Sequence, residues 1–432
     1  MVRMASLMSM AGSVPASALL SVIVVDALTA VGPQPVLAQP AGLSKPPVVE
    51  EERPRDLDSF KKARAKAMGR LELQAKRVDA AGQDAKKRVR AVIDLAQHHW
   101  DLAQLCDNEI ASGLLEEASA AAQSAGRDSE VVELAARKAE VEQCFASNRQ
   151  AAVELLSELS GQEPAPPSAD EVLFYLAWYE FQLEQRKSAM VHLRSLLEEH
   201  PESPFAPEGW LLVGEFYFEL SAMEKAVEAY EKVTTDPKNR LYPFALYKLA
   251  WCRFNLAEYD KALEQLVKAA QVAYESPHWE DLAREAMDSL PVFYAEVGKP
   301  AAAMEFFRKV DASRTERLTA KLALLYSEQG KFNDSTNLCR ALLSQFPKSP
   351  KGLGYRLLVV RNQGARGDAS ALVAEFEALA DAAAGAGAAD SGLVEQARLE
   401  AAGWVAQFEK ENSPAREALI QRLKAVQERL GQ

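Results

Sequence analysis

Four cysteines, Cys106, Cys144, Cys252 and Cys339, are the residues of this 432-residue chain best suited to covalent chemistry. Cys106 and Cys144 flank the run Ser124-Ala125-Gly126-Arg127-Asp128-Ser129, where Gly126 marks a turn between long helices. An antiparallel helical hairpin closed there places the two thiols at the same height. In an oxidising compartment they would form a disulfide stapling the hairpin. The alternative is a pair of buried free thiols packing as small hydrophobes. Cys252 and Cys339 fall in separate segments and are expected to be buried and unpaired. No Cys-x-x-Cys spacing occurs, so redox catalysis is not expected.

Other chemistry finds little support. His98 and His99 are adjacent, and neighbouring helical residues point about 100° apart, so they share no ligand face. With five histidines and no Cys/His cluster, no metal site is expected. No glycine-rich phosphate loop precedes a helix; Gly385-Ala386-Gly387 sits in an alanine-rich linker. There is no Gly-x-Ser-x-Gly elbow. The many carboxylates read as solvated helix faces. Neither a cofactor nor an enzymatic activity is expected.

The elements that position these residues are helical, since no run alternates with period two. Three segments share one frame of small and apolar residues. From Asp170 come Leu176-Ala177, then Ala189, Leu193, Leu196 and Pro201. From Pro207 come Trp210, Val213-Gly214 and Tyr217, then Ala226, Tyr230 and Val233. From Pro243 come Leu246 and Leu249-Ala250, then Ala262, Leu266 and Ala269. Ala177, Gly214 and Ala250 would face Ala189, Ala226 and Ala262, because two helices approach closely only where side chains are small. Two looser units begin at Arg284 and Glu316. In the first, Pro291 takes the small-residue slot and is expected to kink or break its helix. In the second, Ser335 and Cys339 replace the usual alanine and aromatic. A degenerate sixth unit starts near Leu353.

This pattern resembles the tetratricopeptide repeat (TPR) family, whose units are helix–turn–helix pairs of about 34 residues. The resemblance implies an all-α solenoid that holds another protein. It also implies that a concave face is lined by the first helix of each unit. On this chain those positions are Phe174, Trp178 and Phe181; Leu211, Glu215, Phe218 and Glu219; and Phe244, Tyr247, Trp251 and Phe254. The groove is thus expected to be aromatic at one end and plain at the other. Aromatics are the usual anchors for a peptide. Glu208, Glu215 and Glu219 would favour a segment carrying Lys or Arg. Alternatively, the aromatics pack against neighbouring units or against a hairpin folded back on them.

The net charge of −12 argues against general nucleic-acid binding. Residues 1–38 read as a secretory signal: Arg3, an apolar run from Ala16 to Val25, and Val36-Leu37-Ala38 as a cleavage site. An uncleaved anchor is the alternative; cleavage would leave no membrane insertion and a periplasmic protein. No cysteine precedes Cys106, so no lipid attachment is expected. Residues 39–56 read as a proline-rich disordered leader, 57–160 as a helical hairpin region and 170–386 as the repeats. Residues 390–432 read as a pair of capping helices, the second starting at Ser413-Pro414 with a stripe of Leu419, Leu423, Val426 and Leu430.

The run Leu249-Ala250-Trp251-Cys252-Arg253-Phe254 through Tyr259-Asp260-Lys261-Ala262 is similar to periplasmic TPR proteins of myxobacteria, including components of gliding-motility machinery. That resemblance implies a scaffold of a cell-envelope complex with a protein or peptide partner. Two other readings stand beside it: a structural, self-associating protein whose groove is self-filled, and a binder of cell-wall polymer using Trp178 and Trp251.

Overall fold

The computed structural model describes residues 54–384, 390–411 and 413–431. The expected signal segment, nearly all of the expected leader and the middle of the small-residue break near Gly385 lie outside the described residues. Among the described residues there are eighteen α-helices and no strand.

Four helices precede the repeats: α1 (Leu57–Ala80), α2 (Ala85–Ala111), α3 (Leu114–Ser124) and α4 (Asp128–Ser160). Asp56 and Ser59 form a capping box that starts α1, with Ser59 N donating to Asp56 Oδ1 at 2.7 Å. Asp84 caps α2 through the Lys87 amide at 3.1 Å. The expected hairpin is present, but its first arm is two helices rather than one. Gly113 has φ +74°, a left-handed conformation that ends α2 and lets α3 restart. Gly126, at φ +68°, closes the turn into α4. Contacts then ladder down the arms: Lys138 to Glu116, Arg137 to Glu109, Cys144 to Cys106 and Asn148 to His99.

The Cys106–Cys144 bond joins α2 to α4 with a Cα–Cα separation of 6.4 Å. It closes a loop spanning 38 residues. Reduction is therefore expected to lower the stability of this region by about 2–4 kcal/mol, by freeing the unfolded chain. Denaturant titrations with and without a dithiol reductant, on wild type and Cys106→Ala/Cys144→Ala, measure this. A midpoint unaffected by reductant would show the staple contributes nothing.

Six helix pairs follow. They are α5 (Ala169–Gln182) with α6 (Arg186–Glu199), α7 (Ala206–Glu219) with α8 (Met223–Val233), and α9 (Tyr242–Asn255) with α10 (Tyr259–Tyr274). Then come α11 (Glu280–Val297) with α12 (Ala303–Val310), α13 (Thr315–Glu328) with α14 (Phe332–Gln345), and α15 (Gly352–Arg366) with α16 (Ala369–Ala383). Each pair packs on the next, which makes a helical-repeat solenoid. The small positions Ala177, Ala189, Ala226, Ala250 and Ala262 are completely buried. Gly214 shows why its slot must be small. A Cβ built there would lie 2.5 Å from the Tyr230 ring. Gly214→Ala is expected to cost about 1–3 kcal/mol, because the buried ring must shift; a melting curve measures it, and an unchanged midpoint would mean that Tyr230 yields freely.

Pro291 does not break its helix: α11 runs through it without interruption. Leu290 and Phe293 on either side are fully buried, and that packing holds the segment helical despite the missing amide donor.

The turn inside five of the six pairs has one design. The last residue of the turn donates back across a left-handed residue: Gln185 N to Glu180 O, Ala222 N to Tyr217 O, Glu258 N to Arg253 O, Lys331 N to Tyr326 O and Asp368 N to Gln363 O. This is the bond that closes a helix C-terminus around a left-handed residue. Gly330 and Gly367 hold that position in two turns, but Glu184, Ser221 and Ala257 hold it in three, at φ between 56° and 60°. A side chain there costs about 1 kcal/mol or more. Ala257→Gly is therefore expected to raise stability by about 0.5–1 kcal/mol, read as a higher denaturant midpoint. A lower midpoint would mean that the entropy of glycine outweighs the relieved strain.

The chain ends in α17 (Ser391–Glu411) and α18 (Pro414–Leu430). The stripe Leu419, Leu423, Val426 and Leu430 is buried, and α18 packs on α16. The pair covers the apolar end of the last repeat, as a solenoid terminus requires.

Candidate partner-binding face

The first helices of the repeats, α5, α7 and α9, carry every aromatic expected to meet a partner. In α5 the expectation is corrected. Phe174, Trp178 and Phe181 are 1%, 4% and 2% exposed. Trp100 of α2 stacks on Tyr179 at 4.3 Å and meets Trp178 edge-on at 5.3 Å. The Arg149 guanidinium of α4 lies over Trp100 and donates to the Gln182 carbonyl at 2.6 Å. Phe174 stacks on Phe205 ahead of α7, and the Arg186 guanidinium covers Phe181 at 3.9 Å. The N-terminal hairpin and the next unit have taken these rings into a core.

The carboxylates need the same correction. Glu215 is buried, forms an ion pair with Lys248 at 2.9 Å and accepts a hydrogen bond from Tyr230 Oη at 2.5 Å. Burial, then the neighbouring Glu215 charge, push the Tyr230 phenol well above its ordinary pKa. Glu208 is paired with Arg240, and Glu219 with Arg186 at 2.9 Å. Each carboxylate already has a cation from an adjacent element, so none is reserved for a Lys or Arg of a partner. Leu211 is buried too.

What remains at the surface is narrower. Phe218 is partly exposed under the Lys248 ammonium, 4.3 Å from its ring. Phe244 is partly exposed and lies parallel to Trp279, whose Nε1 donates to the Arg240 carbonyl at 3.1 Å. Trp251 and Phe254 are partly exposed and rest on the buried Phe293 of α11, at 4.9 and 4.5 Å. Tyr247 is buried, donates to Glu285 at 2.7 Å and is no surface group. Four rings therefore keep an edge in solvent along α7 and α9, each seated on the neighbouring unit.

Cys252 and Cys339 are buried free thiols, and burial pushes each up to about 12. At neutral pH they stay protonated and unreactive. His98 Nδ1 lies 2.7 Å from the Asp94 carbonyl and His99 Nδ1 2.7 Å from Asn148 Oδ1, so both rings serve helix packing. Among the described residues no group of three metal-ligating side chains comes together. No described helix is long and apolar enough to cross a membrane.

Two features escaped the sequence reading. A cleft of about 340 Å³ lies between α6, α7 and α8, with Trp210 and Tyr217 in its lining beside Arg194, Glu198, Lys225 and Glu228. Trp210 and Tyr217 sit at repeat-frame positions and were indistinguishable from core. Ser203 donates to Asp170 at 2.7 Å and accepts from the Phe205 amide, and Ser349 does the same with Glu316 and the Lys351 amide. The repeated Ser-Pro after Pro201 and Pro347 was the available signal for this clasp between units.

Family models of the tetratricopeptide repeat match residues 171–203, 207–235 and 244–272. They coincide with the first three helix pairs. A tetratricopeptide repeat protein from Parabacteroides merdae ATCC 43184 is 16% identical over 67% of this chain and 95% of its own, with a TM-score of 0.31. The apo form of RapI is 13% identical, over 86% of this chain and 97% of its own, with a TM-score of 0.38. A Rap protein complexed with Competence and Sporulation Factor is 13% identical, over 85% and 99%, with a TM-score of 0.29. No curated protein matches the chain.

Proposed function

We propose that this chain is a protein-interaction scaffold that holds a segment of another protein against the aromatic edge of its second and third repeats. The observation that carries this is the set of four partly exposed rings, Phe218, Phe244, Trp251 and Phe254, on successive first helices. Rings supported from behind lose little entropy on binding and bury large area. The matched repeats support the same reading, since stacked repeats of this kind present extended binding surfaces. The nearby carboxylates are internally paired, so the partner segment would be recognised by apolar side chains rather than by positive charge.

The setting we propose is the periplasm, within a cell-envelope complex, with gliding motility as one such assembly. The signal-like N-terminus supports export, and a disulfide is compatible with an oxidising compartment. The resemblance of the third repeat to envelope TPR proteins supports the assembly. A cell-wall polymer role is disfavoured, because Trp178 is buried against Trp100 and cannot stack on a sugar.

Phe218→Ser combined with Phe254→Ser tests the reading. A partner held by the immobilised wild-type chain is expected to be lost by at least about tenfold from the double variant, at about 1–2 kcal/mol per anchor. Circular dichroism must show the variant folded. Undiminished retention by a folded variant would remove the aromatic edge from the function.

A further inference from the structure

None of the residues lining the cleft between α6, α7 and α8 belongs to the aromatic edge. Its volume of about 340 Å³ falls at the lower end of the range for small-ligand sites. Trp210 and Tyr217 form its floor, two turns apart on α7, which sets them about 10 Å apart along the helix. Both are partly exposed, and neither Trp210 Nε1 nor Tyr217 Oη makes a hydrogen bond with a described residue. The walls are charged. α6 supplies Arg194 and Glu198, and α8 supplies Lys225 and Glu228, all of them exposed. None of the four forms an ion pair with a described residue. Comparable neighbours on other helices do pair, as Arg90 with Asp94 and Arg398 with Glu395. The cleft also has a direction. Gly209, next to Trp210, packs on Leu196 and Leu197, so Glu198 stands at the Trp210 end. Lys225 Nζ lies 5.3 Å from the Tyr217 ring, so Lys225 stands at the opposite end. Arg194 and Glu228 are each one turn inward, on opposite walls. Lys187, Glu224 and Lys232 of the same two helices are outside the lining.

We propose that this cleft binds a short peptide with free termini and small apolar side chains, about three residues long. Three extended residues span about 10 Å, the distance between the two rings. The terminal ammonium meets Glu198 and the terminal carboxylate meets Lys225, as charge-assisted hydrogen bonds. Carbonyl oxygens of the peptide accept from Trp210 Nε1 and Tyr217 Oη, while its apolar side chains rest on the rings. Arg194 and Glu228 balance each other across the middle, so the ends set the polarity. A fatty-acid anion would leave Glu198 without a partner, and a diamine would leave Lys225 without one. A nucleotide would bring its phosphates against both carboxylates. The cleft lies outside the aromatic edge, so this inference is independent of the proposed scaffold role.

Isothermal titration of the full chain with the tripeptide Ala-Leu-Ala tests it, beside the same peptide N-acetylated and the same peptide C-amidated. The free-ended peptide is expected to bind, and each blocked form to bind about threefold to fivefold more weakly, the range of an exposed ion pair. Glu198→Gln is expected to weaken the free-ended peptide by the same factor and to leave the acetylated one unchanged, because that contact is already absent. Lys225→Gln is expected to behave likewise toward the amidated peptide. Both side chains are exposed and outside any ion pair, and an unchanged melting curve confirms folding. Three outcomes would overturn the proposal. They are no binding at millimolar peptide by the folded chain, equal affinity for free and blocked peptides, and variants that weaken the blocked peptides as much as the free one.

Discussion

Trp100→Ala is expected to destabilise the chain by about 3–5 kcal/mol and to split its unfolding into two steps. Trp100 is 4% exposed, stacks on Tyr179 and meets Trp178 edge-on. It also carries the Arg149 guanidinium over its outer surface. Deleting the ring leaves a cavity at the junction between the stapled hairpin and the first repeat. The aromatic pairs add to the loss beyond buried area. A repeat array couples only through its nearest-neighbour interfaces, so a weakened interface frees one side to melt alone. Denaturant titration followed by far-UV circular dichroism and by tryptophan fluorescence would then give two non-coincident curves. Coincident curves with an unchanged midpoint would show that the hairpin and the repeats are joined elsewhere.

Glu215→Ala is expected to cost a similar amount, about 3–5 kcal/mol, because it strands the Lys248 ammonium in the core. Glu215 and Lys248 are 6% and 4% exposed and bond across the interface of the second and third repeats. Tyr230 would lose its acceptor as well. The ring of Phe218 partly compensates the stranded charge but cannot replace a carboxylate. Combining Glu215→Leu with Lys248→Met removes both charges and is expected to recover most of the loss, since an apolar pair needs no solvation. Chemical denaturation of the three proteins gives the comparison. If the double variant is no more stable than Glu215→Ala, the destabilisation comes from lost packing and not from an unpaired charge.

Much of the architecture was readable. Small residues at matching offsets, Ala177 with Ala189 and Ala250 with Ala262, fix where helices touch, and steric exclusion leaves few alternatives. The stripe of Leu419, Leu423, Val426 and Leu430 gave the capping helix by its period alone. The turns at Glu184, Ser221 and Ala257 were not readable as left-handed, because no glycine or asparagine marks them; tertiary packing imposes the conformation. The break at Gly113 was missed because Gly126 already satisfied the hairpin.

The candidate site was readable only in part. Helical offsets say which residues share a face and not what covers that face. Trp178 and Trp251 occupy the same repeat position, yet Trp100 from outside the repeats buries one and leaves the other partly exposed. The pairing of Glu215 with Lys248 is between residues in different repeats, and neither periodicity nor composition specifies such a partner.

Site-specific photo-crosslinking in cells tests the central claim most directly. A photoreactive residue is placed at Phe254 or Phe218 on the aromatic edge, and in parallel at Val191, which is 62% exposed on α6. The account predicts one discrete protein adduct from Phe254 and Phe218 and none from Val191. Adducts from Val191 alone, or only dimers of this chain from every position, would contradict it.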